Sequence, residues 1–197
     1  MVSEPLKLYF DYKSPFAYLA SQLAWDLPER FDVSLHWIPY LLRLKGPGQR
    51  SIYSDWKAQH SYADARRFAN QRGGFKIMGP RKIYDSTAAL VGGLFSQREG
   101  FFRAYTEEVY RRFFERRLEI DRPEEIAGLV AELGHSAEAY ASYLAGEGAA
   151  ALEAALAEGH ADHVFGVPLF IVRGEQFWGN DRVALLEQRL TEYGLRR

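Results

Sequence analysis

Leu8-Tyr9-Phe10-Asp11-Tyr12-Lys13-Ser14-Pro15-Phe16-Ala17-Tyr18-Leu19 reads as a strand that runs into a helix. Leu6 to Phe10 alternates apolar and polar side chains among β-forming residues, the pattern of a half-buried strand. Asp11 to Ser14 breaks that pattern. Pro15 suits the first position of a helix, where its missing N–H would have had no partner, and Ser14 before it suits the N-cap. The helix from Pro15 is expected to run to about Leu27, where Pro28 stops it. Val33 to Tyr40 follows as a second strand, with Val33, Leu35 and Trp37 on one face. The first 40 residues therefore read as strand, helix, strand, with the right-handed crossover that parallel strands take.

The far end of the chain returns to sheet. Phe165-Gly166-Val167-Pro168-Leu169-Phe170-Ile171-Val172 enters a strand through Val-Pro. Arg173-Gly174 is a hairpin signal between Leu169–Val172 and Glu175–Trp178. Gly179-Asn180-Asp181-Arg182 then leads into a helix from about Asp181, whose Val183, Leu185, Leu186 and Leu190 have amphipathic spacing.

Between these ends only helices are expected. Leu41 to Ser54 is a loop holding Gly46-Pro47-Gly48. Helices are predicted over 55–72, 86–98, 100–117, 123–133, 136–145 and 147–159, with Gly73-Gly74, Gly100, Gly134 and Gly146 between them. Asp121 and Ser136 are expected as N-caps. Glu107 and Glu108 stand four residues before Arg111 and Arg112, the spacing of ion pairs on a solvated helix face. The interleaved Tyr110, Phe113 and Phe114 read as core or as a dimer face.

A chain of 197 residues with 47% hydrophobic and 26% charged side chains is long enough for a well-buried core. The net charge of −1 offers no electrostatic case for nucleic acid or an anionic membrane. The chain contains no Cys, so it has no disulfide framework, no thiol nucleophile and no thiolate metal site. The first residues lack a basic segment followed by a long apolar run, and no stretch reaches the ~18 apolar residues of a membrane span. A cytoplasmic protein is the expectation.

Ser14 is the central candidate for chemistry. At a helix N-terminus its hydroxyl lies beside free backbone N–H groups and the positive end of the helix dipole. If a ligand thiolate is held there, the Ser14 O–H can donate to it, a bond to a charged group worth roughly 1.5–3 kcal/mol. That corresponds to about one to two pKa units, which brings a thiol of pKa ~8.5 close to neutrality. Read alone, Ser14 is an N-cap and no more. Pro168 opens a strand without an N–H to give to the ladder. It is either an ordinary trans proline at a strand start or a cis proline that frees the Val167 backbone for an extended ligand. Asp181 could hold a ligand ammonium and Arg182 a carboxylate, or they are a cap and an exposed arginine. His160 and His163 with Asp162 have a metal-ligand spacing, but no third ligand is nominated and no metal is expected.

The two end segments together resemble the 2-hydroxychromene-2-carboxylate isomerase family and the related kappa-class glutathione transferases, which share the DsbA-like thioredoxin fold. The strings that carry the resemblance are Phe10 to Ala20, Phe165 to Val172 and Gly179 to Arg182. Ser14-Pro15-Phe16-Ala17 stands where DsbA-like enzymes have Cys-x-x-Cys. The resemblance implies an α/β thioredoxin-like domain, 1–40 plus 160–197, carrying a helical insertion, 41–159. It implies glutathione as cofactor, with Ser14 at its thiolate and Pro15 and Phe16 beside it. Val167, before a cis Pro168, would pair with the glutathione backbone, and Asp181 and Arg182 would hold its γ-glutamyl end. It further implies a small aromatic or enone substrate and a homodimer. Glutathione conjugation, or binding of a partner without catalysis, are the rival activities. Where the family has Asn-Thr near the second inserted helix this chain reads Ser86-Thr87, and Lys45 falls in the loop where a ligand-binding lysine is expected.

Overall fold

The first strand, β1 (Glu4–Phe10), is the second of four in a sheet of order β2-β1-β3-β4. A computed structural model describes residues 3–43 and 52–197. β2 (Val33–Pro39) lies parallel to β1, with Leu8 opposite Trp37. β3 (Leu169–Val172) runs antiparallel to β1, with Leu8 opposite Phe170, and β4 (Glu175–Trp178) closes the sheet as a hairpin. Arg173 and Gly174 join β3 to β4 with φ of 51° and 78°. Both values are left-handed, as the twist of a two-residue hairpin demands.

Alternation along the strands sorts the two faces of the sheet. Leu6, Leu8 and Phe10 point with Val33, Trp37, Phe170 and Val172 into the main core. Helix α1 (Pro15–Ala24) adds Ala17, Leu19 and Ala20 to that core, and α9 (Val183–Glu192) adds Val183, Leu186 and Leu190. On the opposite face Tyr9, Ile38, Leu169 and Ile171 pack with Ala155 of α8 (Glu147–Ala161).

Pro28 does not end the first helix. Helix α1 stops at Ala24, and Pro28 sits in the first turn of a short α2 (Leu27–Arg30). The ring is tolerated there because first-turn N–H groups have no helical partner. The long α3 (Ile52–Arg72) begins three residues before its expected start. It is followed by α4 (Thr87–Glu99), α5 (Phe102–Phe114), α6 (Pro123–Glu132) and α7 (Ala137–Ala145). Ser136 caps α7, accepting from the Ala139 N–H at 3.0 Å. Asp121 is not a cap: Arg122 precedes α6, and the Asp121 carboxylate pairs instead with Lys82 at 2.7 Å. Tyr110, Phe113 and Phe114 are core rather than surface, and Tyr18 stacks on Phe114 at 5.4 Å. The main core runs without interruption from the sheet into these helices. The last helix begins later than expected, at Val183, after a 3-10 turn over Asn180–Arg182.

Close packing between α4 and α5 depends on one glycine. A Cβ at Gly92 would lie 2.1 Å from the Tyr105 hydroxyl. That hydroxyl is held in place by its bond to the Ala89 carbonyl at 2.9 Å.

Candidate active site

The break after β1 turns back on itself before α1 starts. Ser14 N–H donates to the Asp11 carbonyl at 3.0 Å, and Ser14 has the extended backbone (φ −85°, ψ 114°) of an N-cap. Its Oγ accepts from the Ala17 N–H at 3.1 Å and donates to the Val167 carbonyl at 3.2 Å. The Val167–Pro168 peptide bond is cis. The two end segments of the chain thus meet through the Ser14 hydroxyl. The serine is an N-cap, and the same hydroxyl faces the residue before the cis proline.

A cleft of about 270 Å³ opens beside this contact. Phe16, Val167, Pro168, Asp181 and Arg182 all line it, so five of the candidates are brought to one place. Ser14 and Pro15 are buried beneath it. Helix α3 supplies Asp64 and Phe68 to the opposite wall, and Trp178 and Asn180 complete it. Asp181 and Arg182 are not separate free charges, since they pair with each other at 2.7 Å. Neither caps a helix through its side chain. The Val167 backbone, expected to pair with an extended ligand, has its carbonyl taken by Ser14. The Val167 N–H makes no backbone bond among the described residues. Asn180 is 3% exposed, and its side-chain amide nitrogen has no partner among the described residues. Such a donor is costly to leave unmade. It stood inside the quoted Gly179-Asn180-Asp181-Arg182 string, but an asparagine before a helix reads as turn chemistry.

A second cleft, of about 500 Å³, lies on the other side of α3. Tyr62 and Arg66 line it from the helix, with Lys13, Arg81, Tyr84 and Phe113 around them. Asp64 and Phe68 are four apart on one face of α3, whereas Tyr62 and Arg66, also four apart, are on another. One helix therefore walls both clefts. Lys13 borders the second and Phe16 the first, and Ser14 lies between them in the chain.

In the sequence Asp11 and Lys13 lie in the polar break after β1, with no signal of burial. Asp11 is wholly buried and Lys13 is 8% exposed. The Asp11 carboxylate accepts from the backbone N–H of Lys13 at 3.0 Å and of Leu42 at 2.8 Å. The Lys13 ammonium donates to the Leu42 carbonyl at 2.7 Å and stands 3.4 Å from Asp11 Oδ2. Burial pushes the Asp11 carboxyl above its usual range, against the pull of the Lys13 charge and the two N–H donors. Ser86, at the start of α4, is fully buried near the same carboxylate. Lys45 lies outside the described residues.

Asp162 does not gather with His160 and His163 around a metal. It accepts from Lys7 at 2.6 Å and from Tyr9 at 2.5 Å, joining the end of α8 to β1. Burial pushes the Asp162 carboxyl up, but the Lys7 and Tyr9 bonds outweigh that and hold it below the usual carboxylate value. Among the described residues no three His, Asp or Glu side chains form a metal-binding group, and no helix is long and apolar enough to cross a membrane.

A parallel strand pair, an antiparallel hairpin and a cis proline opposite a helix N-terminus define a thioredoxin-fold protein, here with serine at the cap and no cysteine anywhere. The chain belongs to the DsbA-like thioredoxin domain family, whose model matches residues 5–191. It is 31% identical over 193 residues to a 2-hydroxychromene-2-carboxylate isomerase of Pseudomonas putida, covering 92% of each chain. It is 26% identical to one of Sphingobium xenophagum, covering 97% of this chain and 100% of the relative. The solved structure of a 2-hydroxychromene-2-carboxylate isomerase superposes with a TM-score of 0.79 at 24% identity, over 96% of this chain and 95% of that one. That likeness shows the shared fold.

Proposed function

We propose that this protein is an isomerase of a small aromatic enone, of the 2-hydroxychromene-2-carboxylate kind, that uses glutathione as a thiol cofactor. The observation that carries the reading is the contact of Ser14, at the N-terminus of α1, with Val167, which lines the first cleft before the cis Pro168. The relatives carry the name of the reaction.

The residues present fit glutathione. The unpartnered Asn180 amide and the Val167 N–H offer donors to an extended peptide, and the Asp181–Arg182 pair offers both charges to an amino-acid end. Held there, glutathione would supply a nucleophilic thiolate for reversible addition to a conjugated enone. The chain's part is to hold that sulfur as an anion. The Ser14 O–H, which now donates to the Val167 carbonyl, would be the donor to that sulfur, with Oγ still accepting from Ala17. The dipole of α1 adds to this. The second cleft suits the substrate: Tyr62, Tyr84 and Phe113 present aromatic surface, and Arg66 and Arg81 present cations to a carboxylate.

Calorimetric titration with glutathione at several pH values tests the reading, for the wild type and for Ser14→Ala. The expected result is saturable binding with proton release near neutrality, with the release shrinking in the variant. No binding at millimolar glutathione overturns it. With 2-hydroxychromene-2-carboxylate as substrate, turnover should leave the glutathione concentration unchanged, whereas its consumption would mark a transferase.

A further inference from the structure

We propose that Lys13 is a catalytic residue: its ammonium, at the inner end of the second cleft, donates a hydrogen bond to the substrate carbonyl oxygen and stabilises the negative charge that gathers there. The inference rests on the reading above for its substrate class, an aromatic enone.

A lysine in this position needs a reason. Placing an ammonium where it is 8% exposed is unfavourable unless it is well compensated. The compensation is unusually direct. Asp11, wholly buried, supplies the countercharge at 3.4 Å, and the Leu42 carbonyl supplies a short acceptor at 2.7 Å. Asp11 is itself fixed by the N–H groups of Lys13 and Leu42. An ammonium has three donors in all, and these two acceptors leave one for the cleft that Lys13 lines. An apolar side chain would fill the same space without any countercharge. Lys82, in the same cleft, is differently placed: it is half exposed and tied to Asp121 at 2.7 Å and Glu119 at 3.5 Å. Lys13 is therefore a fixed cation with a spare donor, one residue from Ser14 and beside the rings of Tyr62, Tyr84 and Phe113.

Once the hemiketal ring of the 2-hydroxychromene has opened to the enone, its hydroxyl proton passing to the phenol oxygen, the electron count of the isomerisation itself closes without a further proton. When a nucleophile bonds to the far carbon of the enone, the C=C electron pair shifts and the C=O pair moves onto oxygen, which becomes an enolate. Rotation about the new single bond follows. Expulsion of the nucleophile returns the pairs and restores both double bonds. The charge on oxygen exists only between these events, so a donor fixed there in advance favours the transition states over the ground state.

Two measurements test the assignment. The variants are Lys13→Met, and Asp11→Asn combined with Lys13→Met, which removes the countercharge as well and preserves folding if the first variant leaves Asp11 unpaired. In the first measurement, isomerisation of 2-hydroxychromene-2-carboxylate with glutathione should lose about 10²–10³-fold in kcat, as removal of one oxyanion donor does elsewhere. KM should change only a few-fold, and calorimetric glutathione affinity should be unaltered. A raised KM with unchanged kcat overturns the proposal, since Lys13 would then bind the carboxylate. The second measurement needs neither turnover nor glutathione. The absorbance of 4-nitrophenol, a planar aromatic oxyanion probe, is titrated with pH in the presence of saturating protein. The wild type should lower the pKa of the bound phenol and the double variant should not. Bound probe with no such shift, or no binding, overturns the assignment. If glutathione does not bind but the probe shift is present, the cofactor reading fails and Lys13 stands.

Discussion

The Ser14 hydroxyl has two partners before any ligand arrives. Ser14→Ala therefore removes a helix cap as well as a donor. The cap alone is worth about 1 kcal/mol, so the variant should unfold at a lower urea concentration even without glutathione. Ser14→Asn keeps a capping oxygen and should recover most of that stability, while altering the group offered to the sulfur. A stability loss in both variants alike would mean that the Val167 contact, not the cap, holds the segment. Of the site, the residues legible in sequence were those whose backbone role has a local signature: Ser before Pro, Val before Pro, and an acidic-basic pair ahead of a helix. Asp11, Lys13 and Asn180 were not legible. Asp11 and Lys13 look like turn residues in a polar break. Their burial is created by Leu42 and Tyr110, which reach Asp11 from 31 and 99 residues away.

At the level of elements, periodicity and Gly/Pro punctuation located the four strands and most helices to within a few residues. The failures share a cause. Pro28 and Asp121 were read as boundaries from residue type, but a first-turn proline can start a helix as well as end one, and a carboxylate prefers a nearby ammonium to a cap. Gly92 shows the same limit from the other side. Alanine is intrinsically better in a helix by about 0.8–1 kcal/mol. The Cβ would nevertheless meet Tyr105, which is fully buried and bonded to Ala89. Overpacking of this kind costs about 1–3 kcal/mol. Gly92→Ala should thus lower the urea midpoint. A raised midpoint would show that the Tyr105 ring gives way.

Across the whole molecule, the clasp of Lys7 and Tyr9 on Asp162 joins the first strand to the end of α8, and the Gln176 amide donates to the Asp162 carbonyl at 2.7 Å from β4. The Asp162 carboxylate is held below its ordinary value, because its bonds to Lys7 and Tyr9 overcome the effect of burial. A carboxylate whose value is lowered by folding stabilises the native state above its unfolded value, ~3.9. That stabilisation is lost as pH falls through the lowered folded value. Asp162→Asn should therefore be less stable than the wild type at pH 7, by about 1–2 kcal/mol. The gap should narrow steadily once the pH drops below ~4. Urea unfolding of the two proteins at pH 7 and pH 3 measures it, and an equal gap at both values would mean that the clasp does not depend on the charge.

Helix α3 carries Asp64 and Phe68 on one side and Tyr62 and Arg66 on the other, so the two clefts have a common partition. Any tilt of that helix that widens one chamber narrows its neighbour. A ligand in one that shifted the helix would change affinity in the other, and thermodynamic reciprocity would make the two effects equal. Arg72 moors the far end of that helix to the carbonyls of Leu19 and Asn180, so the partition is fastened there both to α1 and to the turn ahead of α9.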